Sequence, residues 1–223
     1  MIRAVLIALL ASLVFTAPAA SAQTVATPTV EPARLLALFT KIETGDASLE
    51  SYRAAVDFTI GLHSFPFIRK SVHGTAYYKR PNRLELVTER LPAYARNLEH
   101  LFVSLGSPAS WHEQFTVALA DEGTPNEHIR LVPKMTGSRV RWVEIHLDEP
   151  SGLPAKIVWM YTNGRIEMHQ TIAKVAGHSV IVAQDADMHY PAVHAYMRTR
   201  IHDFEWNVAV DDAVFTAPVL LNP

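Results

Sequence analysis

Residues 155–166, Ala-Lys-Ile-Val-Trp-Met-Tyr-Thr-Asn-Gly-Arg-Ile, contain the strongest turn signal in the chain and decide its fold class. Asn163 and Gly164 form a dipeptide that tolerates the positive φ angles of a two-residue hairpin turn. A largely apolar segment precedes this turn, and Ile166 resumes the apolar-polar alternation after it. The stretch therefore predicts a β-hairpin and, with it, an antiparallel sheet.

Alternation with a period of two extends from this hairpin toward both ends of the chain. It predicts strands over residues 52–60, 67–78, 84–88, 114–120, 128–133, 139–147, 155–161, 165–175, 179–184 and 196–204. Segments rich in Gly, Asp, Asn and Pro separate most of them, as turns require. Because strands do not alternate regularly with helices, we predict one domain built on a large, curled antiparallel sheet of about ten strands.

Two further segments have the spacing of amphipathic helices. The first begins at Pro32, which suits the first turn of a helix, and ends before Gly45, a common helix terminator. The second covers residues 92–105, and its apolar face would consist of Tyr94, Leu98, Leu101, Phe102 and Leu105. The sequence therefore predicts an α+β fold in which the sheet dominates.

Residues 1–22 have the pattern of a secretory signal peptide. A short positive start, Met-Ile-Arg, precedes an apolar run over residues 4–15, and Ala20-Ser21-Ala22 is a small-residue cleavage site. A membrane anchor is the alternative, but the apolar run is shorter than the roughly 20 residues that span a bilayer. We therefore expect cleavage after Ala22, a flexible leader over residues 23–31 and a single domain over residues 32–223.

The composition excludes several classes of protein. Because 22 Asp and Glu residues balance 20 Lys and Arg residues, the chain lacks the positive excess that would hold a nucleic acid. The chain has no cysteine, which removes a disulfide framework, a thiolate metal site, a cysteine nucleophile and the lipidated cysteine of a bacterial lipoprotein. An exported chain without cysteine fits the periplasm better than a disulfide-rich extracellular setting.

No motif in the sequence specifies a catalytic or metal site. The 11 histidines form no His-x-x-x-His, His-x-His or Glu-x-x-His pair, and no Gly-x-Ser-x-Gly or Ser-x-x-Lys motif is present. The nearest approach to a ligand cluster is Asp185, Asp187, His189 and His194. We interpret these four as solvated loop residues, with a hydrolase or metal site there as a minor hypothesis. We therefore predict a protein that is not an enzyme and has no cofactor or metal.

The predicted strand over residues 155–161 is apolar on both faces, which allows two interpretations. Either the sheet is ordinary core beneath helices or a second sheet, or its concave side encloses a cavity for an apolar ligand. The residues that would line such a cavity, or equally form packed core, are Phe65, Phe67, Leu84, Leu86, Leu101, Phe102, Trp142, Trp159 and Met160.

Arg80 lies at a predicted strand end, immediately before Pro81. Its guanidinium group is able to donate hydrogen bonds to helix carbonyls or to a lipid head group. The alternative is a solvated arginine that only blunts the edge of the sheet.

Residues 74–86, Gly-Thr-Ala-Tyr-Tyr-Lys-Arg-Pro-Asn-Arg-Leu-Glu-Leu, resemble a signature of the periplasmic carriers of outer-membrane lipoproteins, the LolA type. The wider superfamily, which includes regulators that sense mislocalised lipoproteins and carriers of other lipids, is similar too. Residues 148–154 resemble its central hairpin turn, and residues 211–218, Asp-Asp-Ala-Val-Phe-Thr-Ala-Pro, resemble its closing element, in which a phenylalanine and then a proline follow an aspartate. In order and spacing, these segments match the superfamily over nearly the whole mature chain.

The resemblance implies an unclosed antiparallel half-barrel of about ten or eleven strands, with helices over a concave apolar face that receives acyl chains. In the carriers, the arginine that matches Arg80 helps to hold the helical lid. The expected function is therefore periplasmic transport or chaperoning of a lipid or acylated lipoprotein by a monomer. Its partners would be that lipid or acyl chain and acceptor proteins of the inner and outer membranes. An envelope-stress sensor or protein-interaction module on the same fold is the alternative.

Overall fold

The computed structural model describes residues 32–44, 46, 48–63, 69–80, 83–88, 108–191 and 193–216. These residues form helices α1 (Pro32–Thr44) and α2 (Pro108–Gln114), together with ten strands and a 3-10 helix at Asp212–Thr216. The strands are β1 (Ser51–Leu62), β2 (Arg69–Lys79), β3 (Arg83–Thr88), β4 (Phe115–Ala120), β5 (His128–Pro133), β6 (Val140–Leu147), β7 (Pro154–Tyr161), β8 (Gly164–Val175), β9 (His178–Tyr190) and β10 (Val193–Trp206). Within the described ranges, neither α-helix has the length and hydropathy needed to cross a membrane.

All ten strands belong to one antiparallel sheet that is open between its two edge strands. The order across the sheet is β3-β2-β1-β10-β9-β8-β7-β6-β5-β4, so β1–β10 is the pairing that joins the two ends of the chain. Every other pairing joins strands that are consecutive in sequence. The antiparallel prediction is confirmed, and the open sheet is consistent with a half-barrel; helices over the whole apolar face remain a prediction.

The central hairpin is confirmed, but its turn differs from the predicted one. Tyr161 pairs with Gly164, so the turn residues are Thr162 and Asn163, and Gly164 already belongs to β8. Gly164 does not have a positive φ. A Cβ atom there would instead overlap the Tyr190 ring and approach the carbonyl oxygen of His189 at 2.5 Å. Close approach of β9, not turn geometry, therefore explains the glycine.

Two other predictions need correction. β9 extends to Tyr190, six residues beyond the predicted end at Gln184, so Asp185, Asp187 and His189 lie in a strand and not in a loop. The segment before β4 forms helix α2, for which the sequence pattern predicts no helix. The predicted helix over residues 92–105, and residues 67–68 of the second predicted strand, lie outside the described residues.

Helix α1 has the predicted bounds, and its apolar side packs into the main core. Leu35, Phe39 and Ile42 are buried there, and the Phe39 ring meets the buried Trp111 of α2 edge-on, with centroids 5.7 Å apart. The spacing of these α1 residues puts them on one face, as an amphipathic helix requires. The two helices are therefore joined by an aromatic contact at the margin of the sheet.

Contacts with successive hairpin turns fix α1 at one end of the sheet. Arg34 forms an ion pair of 2.7 Å with Glu127 before β5, and Asp46, just beyond α1, lies 2.7 Å from His178 at the start of β9. Between them, Gly152 of the β6–β7 turn has a φ of +71° and leaves no room for a side chain beside Lys41. A glycine is therefore required there both for its backbone angle and for the approach of α1.

Candidate ligand-binding face

One face of the sheet is apolar and buried, and we call it the buried face. Cross-strand pairs align a continuous row of its side chains from β1 to β4, each 7% exposed or less. This apolar row consists of Ile60, Met197, Ala186, Met168, Ile157, Ile145, Ile129 and Leu119. A sheet with one side of this kind provides the apolar surface that an acyl chain requires.

The opposite face of the same strands is charged, and we call it the polar face. Ion pairs link neighbouring strands there, such as Lys156 with Glu167 at 2.6 Å and Arg200 with Asp185 at 3.2 Å. Lys156 is the largest contributor that lowers the pKa of Glu167, which keeps this carboxylate ionised. Among the described residues, the polar face therefore offers charge to solvent and no continuous apolar surface for an acyl chain.

Three polar side chains interrupt the buried face, and we call them the polar row. Thr199 of β10 pairs with Gln184 of β9, which pairs with Gln170 of β8, so all three lie side by side on one face. Thr199 is 2% exposed and Gln184 is 4% exposed. Gln170 Nε2 donates a hydrogen bond of 2.6 Å to Gln184 Oε1. Within the described residues, Gln170 Oε1 and Thr199 Oγ1 are buried and have no hydrogen-bond partner.

The structure separates the predicted cavity residues between the two faces. Trp159 is buried on the buried face, and Leu84 of β3 is partly buried against the same core. Trp142 and Met160 pair with each other on the polar face, so they do not share a surface with Trp159. Leu86 pairs with Ala76. The candidates Phe65, Phe67, Leu101 and Phe102 lie outside the described residues.

Met160 instead contributes to a shallow cleft at the β7–β8 hairpin. The cleft has a volume of about 450 Å³ and is lined mainly by Arg141, Met160, Tyr161, Arg165 and His189. Burial raises the pKa of the Tyr161 hydroxyl to about 12, so this group is neutral near pH 7. With two arginines in its lining, the cleft has a different chemical character from the buried face.

Arg80 lies beside the residues that follow α1. Its Nη2 atom donates a hydrogen bond of 2.9 Å to the carbonyl oxygen of Asp46, two residues beyond the helix. The Asp46 carboxylate is in turn held by Ser48 and His178, and these contacts lower its pKa. Arg80 therefore connects the β2–β3 end of the sheet to the segment after α1. The acceptor belongs to a residue beyond the helix, and a role for Arg80 at a lid or a lipid head group stays a prediction.

The closing element identified in the sequence returns to the same edge of the sheet. Asp212 accepts a hydrogen bond of 2.8 Å from Lys79 and forms an ion pair of 3.0 Å with Arg83, and Lys79 is the main cause of its lowered pKa. The Arg83 guanidinium carbon lies 5.0 Å from the centroid of the Phe215 ring. The element therefore attaches to the sheet where β2 and β3 meet.

The four residues considered for catalysis lie on β9 and β10, where the acids are held by arginines. Asp187 is 3.1 Å from Arg198, and Asp185 is 3.2 Å from Arg200. Burial opposes ionisation of Asp187, but hydrogen bonds involving His63 and Arg198 outweigh it and hold the pKa of Asp187 below its ordinary value. A carboxylate held ionised in this way is a poor proton donor near pH 7.

The two histidines of this group face each other across the strands. His189 pairs with His194, and their rings are 5.4 Å apart and nearly perpendicular. In the part of the chain that the structure describes, no three His, Asp or Glu side chains are close enough to hold a metal ion together. The two histidines form a pair on the polar face, on the same two strands as the acids that the arginines hold.

Three solved structures share this architecture over most of the chain. A DUF1329 family protein from Desulfovibrio piger matches with a TM-score of 0.59 and 12% identity, over 84% of this chain and 98% of that chain. A putative outer membrane lipoprotein-sorting protein domain from Vibrio parahaemolyticus matches with a TM-score of 0.56 and 8% identity, over 82% and 95%. A LolA superfamily protein from Nitrosomonas europaea matches with a TM-score of 0.52 and 9% identity, over 82% and 97%.

The chain has the fold of these LolA-type structures. The expectation of a LolA-type fold is thereby confirmed. No protein-family model matches the sequence, and no curated protein matches it. At identities of 8–12%, the likeness to these three solved structures establishes the fold alone and not a ligand.

Proposed function

We propose that this chain is an exported periplasmic carrier or chaperone that binds an acyl chain, of a lipid or of an acylated lipoprotein, against the buried face. The observation that carries the proposal is the apolar row, which runs without a charge across an open sheet from β1 to β4. Two of the matching structures are described as a lipoprotein-sorting domain and a LolA superfamily protein, which supports the same ligand class.

The energetics of such binding are favourable without any covalent chemistry. Each buried methylene contributes about 0.8 kcal/mol, so a chain with about twelve buried methylenes gains roughly 10 kcal/mol before the cost of association. No catalytic group is needed, and none is part of the proposal.

Access to the buried face would involve the α1 end of the sheet. In this proposal α1 acts as a lid, and the Arg80 hydrogen bond to the Asp46 carbonyl helps to hold the lid closed. The ion pair between Arg34 and Glu127 and the contact of Lys41 with Gly152 would have to open together with it. The predicted helix over residues 92–105 is a second candidate for covering the acyl chain.

Native mass spectrometry of the protein purified from its own periplasm tests the proposal directly. We expect a bound lipid or acylated peptide, and saturable binding of a fluorescent fatty-acyl probe after the native ligand has been removed. Absence of both would overturn the carrier function. A protein that retains a membrane-anchored partner but no lipid would support the sensor or interaction alternative instead.

Two substitutions on β3 test whether the buried face is the binding surface. Leu84 packs against the core, whereas Val87 lies on the other side of the same strand and is 48% exposed. We expect Leu84→Asp to weaken binding of the acyl probe about tenfold or more, because a carboxylate must be desolvated or protonated in an apolar site. The control Val87→Asp should leave binding unchanged. Equal loss in both variants, with both proteins folded, would contradict this location.

The hydrolase hypothesis has a separate test. His189→Ala and Asp187→Ala should leave acyl-probe binding intact, and the wild-type protein should show no turnover on ester or phosphoester panels. Turnover that disappears in a folded His189→Ala variant would support an enzyme. The arginine contacts of Asp185 and Asp187 favour the first result.

A further inference from the structure

The polar row marks a specific point on the buried face where an apolar ligand would meet hydrogen-bonding groups. Four polar residues of the described chain are buried: Ser51, His128, Gln184 and Thr199. Ser51 donates to the Val208 carbonyl, and His128 Nδ1 lies 2.8 Å from the Asn126 carbonyl oxygen. Gln184 and Thr199, in contrast, are direct neighbours in the polar row.

Two atoms of the row are buried without a hydrogen-bond partner in the described part of the chain. They are the hydroxyl oxygen of Thr199 and the amide oxygen Oε1 of Gln170. Burial of a polar atom without a partner costs free energy comparable to that of a lost hydrogen bond. Such atoms in a folded protein indicate a missing partner, either water or a ligand. Their position on the face that binds the acyl chain favours a ligand.

The surroundings of the polar row are apolar on every side that the pairing describes. Along the strands, the adjacent apolar row contributes Met168, Ala186 and Met197. Across the sheet, Thr199 pairs next with Phe58 of β1, and Phe58 pairs with Val72 of β2. A group bound at the polar row is therefore attached to, or surrounded by, apolar chain.

The chemistry of the row selects the kind of polar group. Glutamine amides and a threonine hydroxyl donate and accept hydrogen bonds, and they carry no charge to balance a phosphate or carboxylate. An ester oxygen only accepts, whereas a hydroxyl or an amide both donates and accepts. A hydroxyl group is therefore able to donate to Gln170 Oε1, or to form a hydrogen bond with the Thr199 hydroxyl, whereas an ester oxygen is able only to accept from Thr199.

We propose that the polar row is a recognition site for a hydroxyl group on the acyl ligand, so that the carrier prefers hydroxylated acyl chains to plain ones. The inference rests on the proposed carrier function and adds the ligand class to it. The apolar row binds the methylenes, and the polar row sets the position of the chain along the sheet.

Competition against a fluorescent fatty-acyl probe measures this preference. The competitors are hexadecanoic acid and a series of hydroxyhexadecanoic acids with the hydroxyl group at different positions along the chain. We expect at least one hydroxylated acid to bind about tenfold more tightly than the plain acid, which corresponds to one well-formed hydrogen bond. The position of the favoured hydroxyl measures the distance from the polar row to the carboxylate end.

Two variants and one control assign the preference to the polar row. Thr199→Val replaces the unpaired hydroxyl with a methyl group of similar shape, so the melting temperature of the variant should not fall. The ratio of its affinities for the hydroxylated and the plain acid should fall to about one. Gln184→Leu should abolish the preference as well. The control Thr59→Val removes a hydroxyl from the polar face, where Thr59 Oγ1 lies 3.2 Å from Ser71 Oγ. This variant should retain the full preference for the hydroxylated acid.

The outcomes separate this inference from the carrier function. Equal affinity for plain and hydroxylated acids in the wild-type protein would overturn the polar-row site while leaving the carrier function intact. A preference that persists in Thr199→Val and Gln184→Leu would assign the hydroxyl to another place and would also overturn it. Failure of every acid and of the probe to bind would overturn the carrier function itself. If Gln184→Leu does not fold, Thr199→Val decides the question alone.

Discussion

The two faces of the sheet share the same strands and backbone hydrogen bonds, but they use their side chains in opposite ways. On β10, Met197 is 1% exposed on the buried face, while its neighbour Arg198 forms an ion pair with Asp187 on the polar face. Burial of a methionine removes apolar area from water, whereas an exposed ion pair exchanges one hydrated state for another at little net gain. The stability of the fold therefore depends on the buried face far more than on the polar face.

The largest predicted effect comes from removing volume on the buried face. Met197→Ala should lower the free energy of unfolding by about 2–5 kcal/mol, because the site loses apolar burial and leaves a cavity. The matched control on the same strand is Arg200→Ala, whose side chain is 59% exposed and paired with the exposed Asp185. It should change stability by less than about 1 kcal/mol.

Urea denaturation of both variants provides the measurement. A similar loss of stability in Arg200→Ala would contradict the claim that stability depends on the buried face more than on the polar face. A small loss in Met197→Ala would mean that the surrounding side chains collapse into the space, which would also be inconsistent with the close packing of the apolar row.

The second effect tests how much the buried face depends on α1. Gly152→Ala combines an unfavourable backbone angle, φ of +71°, with an overlap of the new Cβ atom with Lys41, whose Cγ atom would be 2.9 Å away. We expect a loss of about 1–3 kcal/mol, because both strain and displacement of α1 contribute. Hydrogen exchange should show reduced protection in α1 and in the β6–β7 turn.

Gly123→Ala is the matched control for that experiment. Gly123 has a nearly identical φ of +73°, but no atom lies within 4 Å of an added Cβ. The difference in stability between the two variants therefore measures the α1 contact separately from backbone strain. Equal losses in the two variants would show that α1 does not depend on its contact with this turn.

Local patterns predicted most of this sheet because most of its pairings join consecutive strands. The bounds of α1 and the positions of most strands followed from residue spacing, and most hairpins were implied by a turn between two alternating segments. The predicted β9 is too short because acidic residues such as Asp185 and Asp187 are common in loops and so predict that the strand ends at Gln184. They are in fact the polar half of an alternation whose other half is Ala186, Met188 and Tyr190.

The sequence could not identify the polar row, although each of its members interrupts an apolar alternation. A register shift between Thr171 and Ile172 changes how β8 aligns with β9, and no residue type marks it. Thr199 joins the row through the pairing of β10 with β9. The residues predicted to line the cavity were likewise selected by size and hydrophobicity alone. Trp142 and Trp159 therefore belong to one predicted set although they lie on opposite faces of the sheet.

A smaller effect concerns histidines on the polar face with opposite pH dependence. Burial lowers the pKa of His146, and the nearby His128 and Lys156 lower it further. The folded state then binds fewer protons than the unfolded state, so stability falls as the pH decreases below the ordinary value of 6.5. When the pH is lowered from about 7.5 to about 5, the melting temperature of His146→Gln should therefore fall less than that of the wild type. An identical pH dependence in the two proteins would contradict the assignment.

His202 should show the smallest effect, with the opposite sign. Hydrogen bonds with Asp203 and Asp57 raise its pKa, and Asp57 also contacts His73. The stabilisation is therefore fully present below the unfolded value of 6.5 and is lost as the pH rises through the folded pKa. His202→Gln should be slightly less stable than the wild type near about pH 5.5 and equally stable near about pH 9. Because the side chain is 45% exposed, salt should reduce the difference at low pH. Thermal melts at both pH values, with and without added salt, measure it, and a difference that grows toward alkaline pH would refute the role of this cluster.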